Sequence, residues 1–212
     1  MVKSNHHPQV FIKPGGTDLR QTVEDLMNVL APVNLNNLQV LVKPNMVGPS
    51  EPELGHTTSP DLVRAVVLTC LDRGARVTVG DNPGGMNRNS THVAQITGIL
   101  DASEGCYKPL SEGVVELTGE ETGFPLVISK TVLEADMIIN LSNDYWSLAE
   151  VEAKQHYVNA VFRAVENRRP LLRSTASGLT AYVSPDGRIQ DSIPYYQEGT
   201  LTADVKLYNP PD

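Results

Sequence analysis

The sequence predicts an α/β fold: a three-layer body with a mostly parallel sheet and helices on both faces, plus a C-terminal helix and antiparallel strands. Two continuous apolar runs, at residues 38–42 and 135–141, are typical of strands buried on both faces. The first run is followed by a helical pattern at 62–71 and a second strand-like run at 75–80. Such a unit has a right-handed crossover and parallel strands. Short strand-like runs beyond residue 170 indicate antiparallel pairing.

The helices of the first half are predicted from apolar spacing and from their terminal residues. Apolar residues recur at helical spacing over residues 19–30, so we expect a helix that is capped by Thr17 and ended by Pro32. Ser59 and Pro60 provide an N-cap and a first-position proline for the crossover helix.

The remaining elements follow from residue periodicity and turn residues. Arg168 and Arg169 suit the C-terminal end of a long helix, where the helix dipole favours cations. Residues 185–187 form an explicit Pro-Asp-Gly turn. The predicted elements are a helix at 91–99, strands at 114–117 and 126–128, the strand at 135–141, a helix at 151–165, and strands at 171–174, 179–184 and 201–207.

Composition limits the classes of function. A chain of 212 residues with 40% hydrophobic content can bury one sizeable core. The net charge of −8 argues against general binding to nucleic acid or to anionic lipid, so any anion site must be local. No apolar segment has the length of a signal peptide or a membrane span, and we expect a cytoplasmic protein that does not enter a membrane.

Two strand-end loops are the best candidates for ligand binding. Lys43 and Asn45 follow the first buried strand and place a cation beside an amide. Asp81, Gly84 and Gly85 follow the next strand, and the glycines permit a close backbone approach to phosphate or carboxylate. Because adjacent parallel strands end at the same sheet edge, we expect both loops to form one small-anion site. Ordinary turns with a solvated lysine remain the alternative.

The loop before the crossover helix completes the candidate site. Thr57 and Thr58 precede a helix N-terminus, where hydroxyls and N–H groups favour anions. His56 is the best, although weak, candidate for a general acid or base. Helix capping and a solvated histidine are the simpler interpretations.

The other reactive side chains do not predict a metal or redox site. Two cysteines without C-x-x-C spacing cannot supply a disulfide framework, a four-thiolate zinc site or an iron–sulfur cluster. Cys70 falls in a helix and is expected in the core, whereas Cys106 falls in a loop without an identifiable base nearby. The remaining histidines lack metal-ligand spacing; they are His6, His7, His92 and His156. We expect no metal and no cofactor.

The first two thirds of the chain resemble the DUF362 family, a domain of unknown function. The resemblance rests on four segments, at residues 40–47 (VLVKPNMV), 57–67 (TTSPDLVRAVV), 73–85 (RGARVTVGDNPGG) and 134–140 (EADMIIN). Members of that family are described as iron–sulfur-centre proteins, which would imply a redox role. The lysine- and histidine-bearing loop and the further domain of that family do not follow Leu141 here.

From Asn140 onward the chain is similar to the C-terminal part of the apolipoprotein N-acyltransferase family, in the nitrilase superfamily. The segments that carry this similarity are 140–146 (NLSNDYW), 155–156 (QH), 160–173 (AVFRAVENRRPLLR), 177–180 (SGLT) and 185–189 (PDGRI). The resemblance implies amide or acyl chemistry by a Glu, a Lys and a nucleophilic Cys. The position expected for that Cys holds Leu117, Thr118 and Gly119, so the nucleophile is absent.

Both families have an alanine-aspartate-apolar-apolar-asparagine strand at residues 135–140, so we interpret the chain as a fusion at that strand, of natural or engineered origin. Segments 1–141 and 142–212 are then expected to complete one compact body. The sequence favours a non-enzymatic protein. It leaves open a small-anion-binding protein and a folded scaffold without activity, and a nitrilase-type amidase or acyltransferase is least favoured. An uncovered apolar stripe on the tail helix would predict a homodimer.

Overall fold

The computed structural model describes residues 9–11, 18–29, 35–83, 89–118, 125–144 and 150–207. The helices are α1 (Leu19–Val29), α2 (Pro60–Asp72), α3 (Ser90–Ile96), α4 (Ile99–Ala102), α5 (Lys130–Glu134) and α6 (Glu150–Asn167), with one 3₁₀ turn at Pro52–Leu54. The strands are β1 (Gln9–Phe11), β2 (Gln39–Pro44), β3 (Arg76–Val79), β4 (Val114–Thr118), β5 (Pro125–Ser129), β6 (Met137–Ser142), β7 (Leu171–Thr175), β8 (Thr180–Val183), β9 (Ile189–Ile193) and β10 (Thr200–Thr202).

The main sheet has six strands in the order β3-β2-β6-β7-β8-β9. The pairs β2–β3, β2–β6 and β6–β7 are parallel, whereas β7–β8 and β8–β9 are antiparallel. This mixed sheet confirms the predicted α/β class and the antiparallel tail. Strand β6 lies between β2 and β7, so it joins the two parts of the chain by hydrogen bonds on both of its edges.

Alternating side chains of the central strands build one core on each sheet face. Val40 and Val42 of β2 pack on the face that α2 covers, in a cluster with Val63 and Val67. Leu41 points to the opposite face and packs in a second cluster, which also contains Ile138, Leu171 and, from α6, Tyr157, Ala160 and Ala164. A strand alternates its side chains between two faces, so helices on both sides are needed to bury a run such as 40–42. The predicted three layers are therefore present.

Helix ends differ in part from the predicted caps. Thr17, the predicted cap of α1, lies outside the described residues, and the Gln21 N–H donates to Asp18 Oδ1 at 2.9 Å. Helix α2 begins at Pro60 as predicted, but its N-cap Ser59 makes no side-chain capping bond. The predicted helix at 91–99 is divided, because Gly98 has a φ of 72° and breaks the helix between α3 and α4.

The peripheral strands also depart from prediction. The strands predicted at 114–117 and 126–128 are present as β4 and β5, and they pair antiparallel in a separate two-stranded sheet. The strand predicted over 201–207 covers only three residues, because β10 pairs with the equally short β1. Strand β9 was not predicted: four of its five residues are exposed, which leaves little apolar alternation to detect.

Part of the outer surface of α6 is apolar. Val151, Val158 and Phe162 are 77%, 46% and 54% exposed. The homodimer that an uncovered stripe would favour stays a prediction. Among the described helices, none is both long and apolar enough to cross a bilayer.

Candidate functional site

Two rows of residues on one sheet face form the base of the candidate site. Leu41, Ile138 and Leu171 are aligned across β2, β6 and β7, and they form an apolar row. Two residues further along the same strands, Lys43, Asn140 and Arg173 are also aligned. Side chains two residues apart share a face, so the second row is a polar continuation of the first toward the carboxyl ends of the strands.

Helix α6 lies over these rows and encloses a cavity of about 710 Å³. Four α6 residues that line it, His156, Asn159, Arg163 and Asn167, are three or four positions apart and therefore share one helix face. The cavity is mixed in character. Its apolar lining includes Leu41, Leu110, Val132, Ile138, Ala160 and Leu171, and its charged lining includes Lys43, Asp81, Arg163 and Arg173.

A buried ion pair with Asp144 holds Arg173, one member of the polar row, in place. The Arg173 and Asp144 side chains are 3% and 0% exposed, and Arg173 Nη2 lies 2.7 Å from Asp144 Oδ2. Arg173 Nη1 donates to Asn140 Oδ1, which ties β7 to β6. Asp144 Oδ1 accepts from Ser142 Oγ at 2.9 Å and lies 3.2 Å from His156 Nδ1. These contacts fix the guanidinium of Arg173 at the cavity wall.

The turn between β7 and β8 makes close contact with this pair. A Cβ built on Gly178 would lie 2.0 Å from Asp144 Oδ2. Only glycine leaves room for the carboxylate at this place. Gly178, which lies in the 177–180 segment of the C-terminal resemblance, therefore makes room for Asp144.

Burial and charge act in opposite directions on the pair. Burial alone would raise the pKa of Asp144. The hydrogen bond with His156 and the charge of Arg173 together lower it by more, so the pKa lies below its ordinary value. Burial lowers the pKa of Arg173, and the charge of Asp144 opposes that shift. Both groups remain charged near neutral pH, because a lowered carboxyl pKa favours the anion and an arginine starts from a very high value.

The two predicted strand-end loops meet as expected at one edge. Lys43 Nζ lies 2.6 Å from Asp81 Oδ1, and their side chains are 30% and 7% exposed. The second oxygen of Asp81 accepts from the Met46 N–H at 2.9 Å. Lys43, Asn45 and Asp81 all line the cavity. Gly84 and Gly85 lie outside the described residues.

Thr57, Thr58 and His56 do not line the cavity, in contrast to the strand-end residues. The Thr58 hydroxyl donates to the Leu141 carbonyl at 2.7 Å and accepts from the Asn45 N–H at 2.8 Å. Thr57 is buried, and its Oγ1 has no hydrogen-bond partner among the described residues. His56 is exposed, and its Nδ1 lies 3.3 Å from Ser50 Oγ. None of these three side chains is in the cavity lining.

Neither cysteine of the chain lines the cavity. Cys70 is buried, and burial raises the pKa of its thiol to about 12. Burial, and secondly the charge of Glu104, raise the pKa of the Cys106 thiol. A thiolate is the nucleophilic form, so these surroundings disfavour nucleophilic catalysis by either residue. No cluster of His, Cys, Asp and Glu suited to a metal ion occurs within the described ranges.

Three buried polar atoms on residues of the cavity lining have no hydrogen-bond partner among the described residues: Arg173 Nε, Asn167 Oδ1 and Ser129 Oγ. Both oxygens of Asp81 and both oxygens of Asp144 accept contacts from protein groups, whereas a lysine has three N–H donors and an arginine five. The buried Nε of Arg173 has no hydrogen-bond acceptor among the described residues, although Arg173 is only 4% exposed. Buried donors are normally satisfied, so the unpaired Nε marks the Arg173 side chain as a position where an acceptor is expected.

Sequence reasoning identified Lys43, Asn45 and Asp81 but missed the residues contributed by the tail. Asn140 and Arg173 share the sheet face of Lys43, and this could have been derived from strand parity once β2, β6 and β7 were known to be neighbours. Asp144 and His156 cannot be placed by strand parity, although both lie in segments that carry the second resemblance. Their contact depends on how α6 returns over the sheet.

Two family models match overlapping parts of the chain. The model described as "Domain of unknown function (DUF362)" matches residues 40–143, and the model described as "Carbon-nitrogen hydrolase" matches residues 117–209. Both resemblances deduced from the sequence are therefore confirmed. The overlap contains β6, which is consistent with a fusion at that strand.

Curated relatives match the second part of the chain. Apolipoprotein N-acyltransferase 1 of Treponema denticola is 51% identical over 73 residues, which are 34% of this chain and 13% of that protein. Apolipoprotein N-acyltransferase of Geobacter metallireducens is 32% identical over 110 residues, 52% of this chain and 18% of that protein. The chain thus spans less than a fifth of the length of either relative.

One solved structure matches most of the chain at low similarity. It is a cysteine-to-serine mutant of Nesterenkonia AN1 amidase, from the nitrilase superfamily. The match covers 97% of this chain and 94% of that chain, with 15% sequence identity and a TM-score of 0.40.

Proposed function

We propose that the cavity between the sheet and α6 binds a small organic anion at the polar row of Lys43, Asn140 and Arg173. The observation that carries the proposal is Arg173, a residue of the cavity lining whose buried Nε has no acceptor among the described residues. An oxyanion bound at this row would accept hydrogen bonds from the side chains of Arg173 and Lys43. The site lies at the carboxyl ends of parallel strands, where α/β proteins commonly bind ligands.

The charges of the lining also support an anion. Among the described residues, Lys43, Arg163 and Arg173 line the cavity together with one carboxylate, that of Asp81, whereas Glu166 and Asp144, the partners of the two arginines, do not line it. Asp144 neutralises the charge of Arg173. Its side chain is fully buried and does not line the cavity, so its oxygens do not face a ligand. Hydrogen bonds between charged donors and a carboxylate or phosphate are stronger than neutral ones.

The proposal is tested by a thermal-shift screen of the purified protein against phosphate, nucleotides and small carboxylates. Binding to the native state alone stabilises by about 2.7 kcal/mol at a ligand concentration of 100 Kd. In a chain of this size, each kcal/mol raises Tm by about 2–4 °C. We expect a carboxylate to raise Tm, and we expect Lys43→Ala to abolish that rise.

The matched control is Lys108→Ala, because Lys108 is an exposed lysine outside the cavity lining. This variant should respond to the ligand as the parent does. A cooperative transition that no phosphate, nucleotide or carboxylate shifts at millimolar concentration would contradict the proposal and favour a folded scaffold without activity.

Catalysis of an amidase or acyltransferase type is a second candidate, favoured by the Carbon-nitrogen hydrolase match and by the similarity to apolipoprotein N-acyltransferases. Such chemistry requires a nucleophile, and neither cysteine lies at the cavity. Incubation with an activated ester followed by intact-mass measurement tests it. An acyl adduct on Cys106 that turns over would establish the enzymatic function, whereas an unchanged mass would remove it.

A further inference from the structure

His156 is the cavity-lining residue whose charge depends on pH near neutrality. The described lining residues that can carry a charge are Lys43, Asp81, His156, Arg163 and Arg173. Lysine and arginine are ordinarily cationic and aspartate anionic at near-neutral pH, whereas histidine gains or loses its proton there. The His156 side chain is 32% exposed, so protons can reach it from solvent.

Each cation of the cavity wall is paired with one carboxylate. The pairs, with the distance between their charged atoms, are Lys43–Asp81 (2.6 Å), Arg173–Asp144 (2.7 Å) and Arg163–Glu166 (2.9 Å). The charges within each pair cancel. With a neutral histidine, the wall therefore offers an anion several hydrogen-bond donors but little surplus positive charge.

Asp144 is shared between Arg173 and His156. Its Oδ2 lies 2.7 Å from Arg173 Nη2, and its Oδ1 lies 3.2 Å from His156 Nδ1. Because Asp144 is an anion with a lowered pKa, the hydrogen between Oδ1 and Nδ1 is carried by the histidine. A proton added to the other ring nitrogen makes His156 a cation, and Asp144 then balances two cations. One positive charge is left at the cavity wall.

We infer that the site takes up a proton at His156 together with its anion, so that anion binding strengthens as the pH falls below neutrality. The inference rests on the proposed function and names what regulates that same site. An anion in the cavity favours the charged form of a nearby histidine. By linkage, the protonated histidine raises the affinity for the anion by the same factor.

The other ionisable groups around His156 do not change charge in the same range. Glu152 lies four residues earlier on α6, and a carboxylate ordinarily stays anionic near neutral pH. Tyr157 and Tyr195 interact electrostatically with Arg173, and phenols ordinarily titrate at about pH 10. The described lining contributed by residues 110–114 and 129–132 is uncharged: Leu110, Ser111, Val114, Ser129 and Val132.

Isothermal calorimetry of the intact protein with acetate and with sulfate, between about pH 6 and 8, tests the inference. Both probes keep a constant charge over this range. Each bound anion takes up at most one proton at His156, so affinity should rise by up to about tenfold for each unit of pH decrease. Titrations in two buffers with different heats of ionisation measure the proton uptake directly and need no variant.

His156→Asn removes the titrating group and retains an N–H donor toward Asp144. We expect this variant to bind both probes without proton uptake and with an affinity that does not change with pH. His156→Gln serves the same purpose if the asparagine variant fails to fold. His92→Asn is the matched control, because His92 is exposed on α3 and lies outside the cavity lining, so this variant should retain the pH dependence of the parent.

The outcomes separate the two proposals. Proton uptake by the parent that is lost in the His156 variant and retained in His92→Asn supports the inference. Binding without proton uptake, or a pH dependence that persists without His156, would overturn the inference and leave the anion site in place. No binding of either probe at any pH would overturn both, because the polar row would then not function as an anion site.

Discussion

At the scale of single residues, the Asp144–Arg173 pair is the most consequential contact in the site. Both side chains are almost completely buried, so each depends on the other for its charge. A buried ion pair adds little net stability, but removing one partner leaves a buried uncompensated charge and costs about 3–5 kcal/mol. The pair therefore constrains the position of Arg173 more than it stabilises the protein.

The lowered pKa of Asp144 predicts a specific pH dependence. A carboxyl whose pKa is lower in the folded state contributes stability above its unfolded value, about 3.9, and loses it as pH falls through the folded value. Asp144→Asn should reduce the free energy of unfolding by about 3 kcal/mol at pH 7. The difference between parent and variant should shrink below about pH 4, as measured by urea denaturation.

The exposed pair of Arg64 with Asp101 provides the control for this experiment. Asp101 is 89% exposed, and Asp101→Asn should leave stability unchanged within error at every pH. A parent-to-variant difference for Asp144→Asn that stays constant into acid would show that its carboxylate is not stabilised in the folded protein.

At the scale of elements, Thr58 joins the ends of two strands. Its hydroxyl links the Asn45 N–H after β2 to the Leu141 carbonyl in β6. Because Asn45 lines the cavity, this bond fixes the end of β2 relative to β6 at the edge of the site. Thr58, which the sequence predicted as a ligand-binding residue, does not line the cavity and holds the strand end that carries Asn45.

Thr58→Val is expected to reduce the free energy of unfolding by roughly 1–3 kcal/mol, because it leaves two backbone groups without their buried partner. Thr58→Ser retains the hydroxyl and should cost clearly less. Urea denaturation of both variants measures the difference. Equal losses for valine and serine would mean that the lost methyl packing, and not the two hydrogen bonds, is what matters.

At the scale of the whole molecule, β6 makes the two parts interdependent. Leu41 and Ile138 are 1% and 2% exposed, and they pack against Tyr157 and Ala160 of α6. A chain that ends at Asp144 would expose this entire face. We expect this truncated protein to lack the cooperative thermal transition of the full chain, as followed by circular dichroism.

The full-length protein, treated identically, is the reference for that measurement. A sharp transition in the truncated chain, with a denaturant dependence in proportion to its length, would contradict the interdependence. It would indicate that the first part folds without α6 and β7.

The sequence was sufficient for the features that depend on local pattern. It predicted the buried strand at 38–42 and an α2 that begins with a proline. It also predicted that Lys43 and Asp81 lie close together, because adjacent parallel strands end at one edge. The alignment of Lys43 with Arg173 on one sheet face was not predictable. It requires the order β2-β6-β7, which long-range pairing decides and which no local residue pattern encodes.

The junction expected between the two family-like parts lies at the central strand β6, and this has a consequence for how binding sites can arise. Lys43 comes from one side of β6 and Arg173 from the other, so the two parts that resemble different families supply opposite ends of the polar row. Exchange of sequence within a shared strand can thus bring two half-sites into register in a single step, with the backbone ladder supplying the alignment. Any pair of sheets with a compatible central strand offers the same opportunity, and new pockets become accessible to recombination without gradual change of either parent.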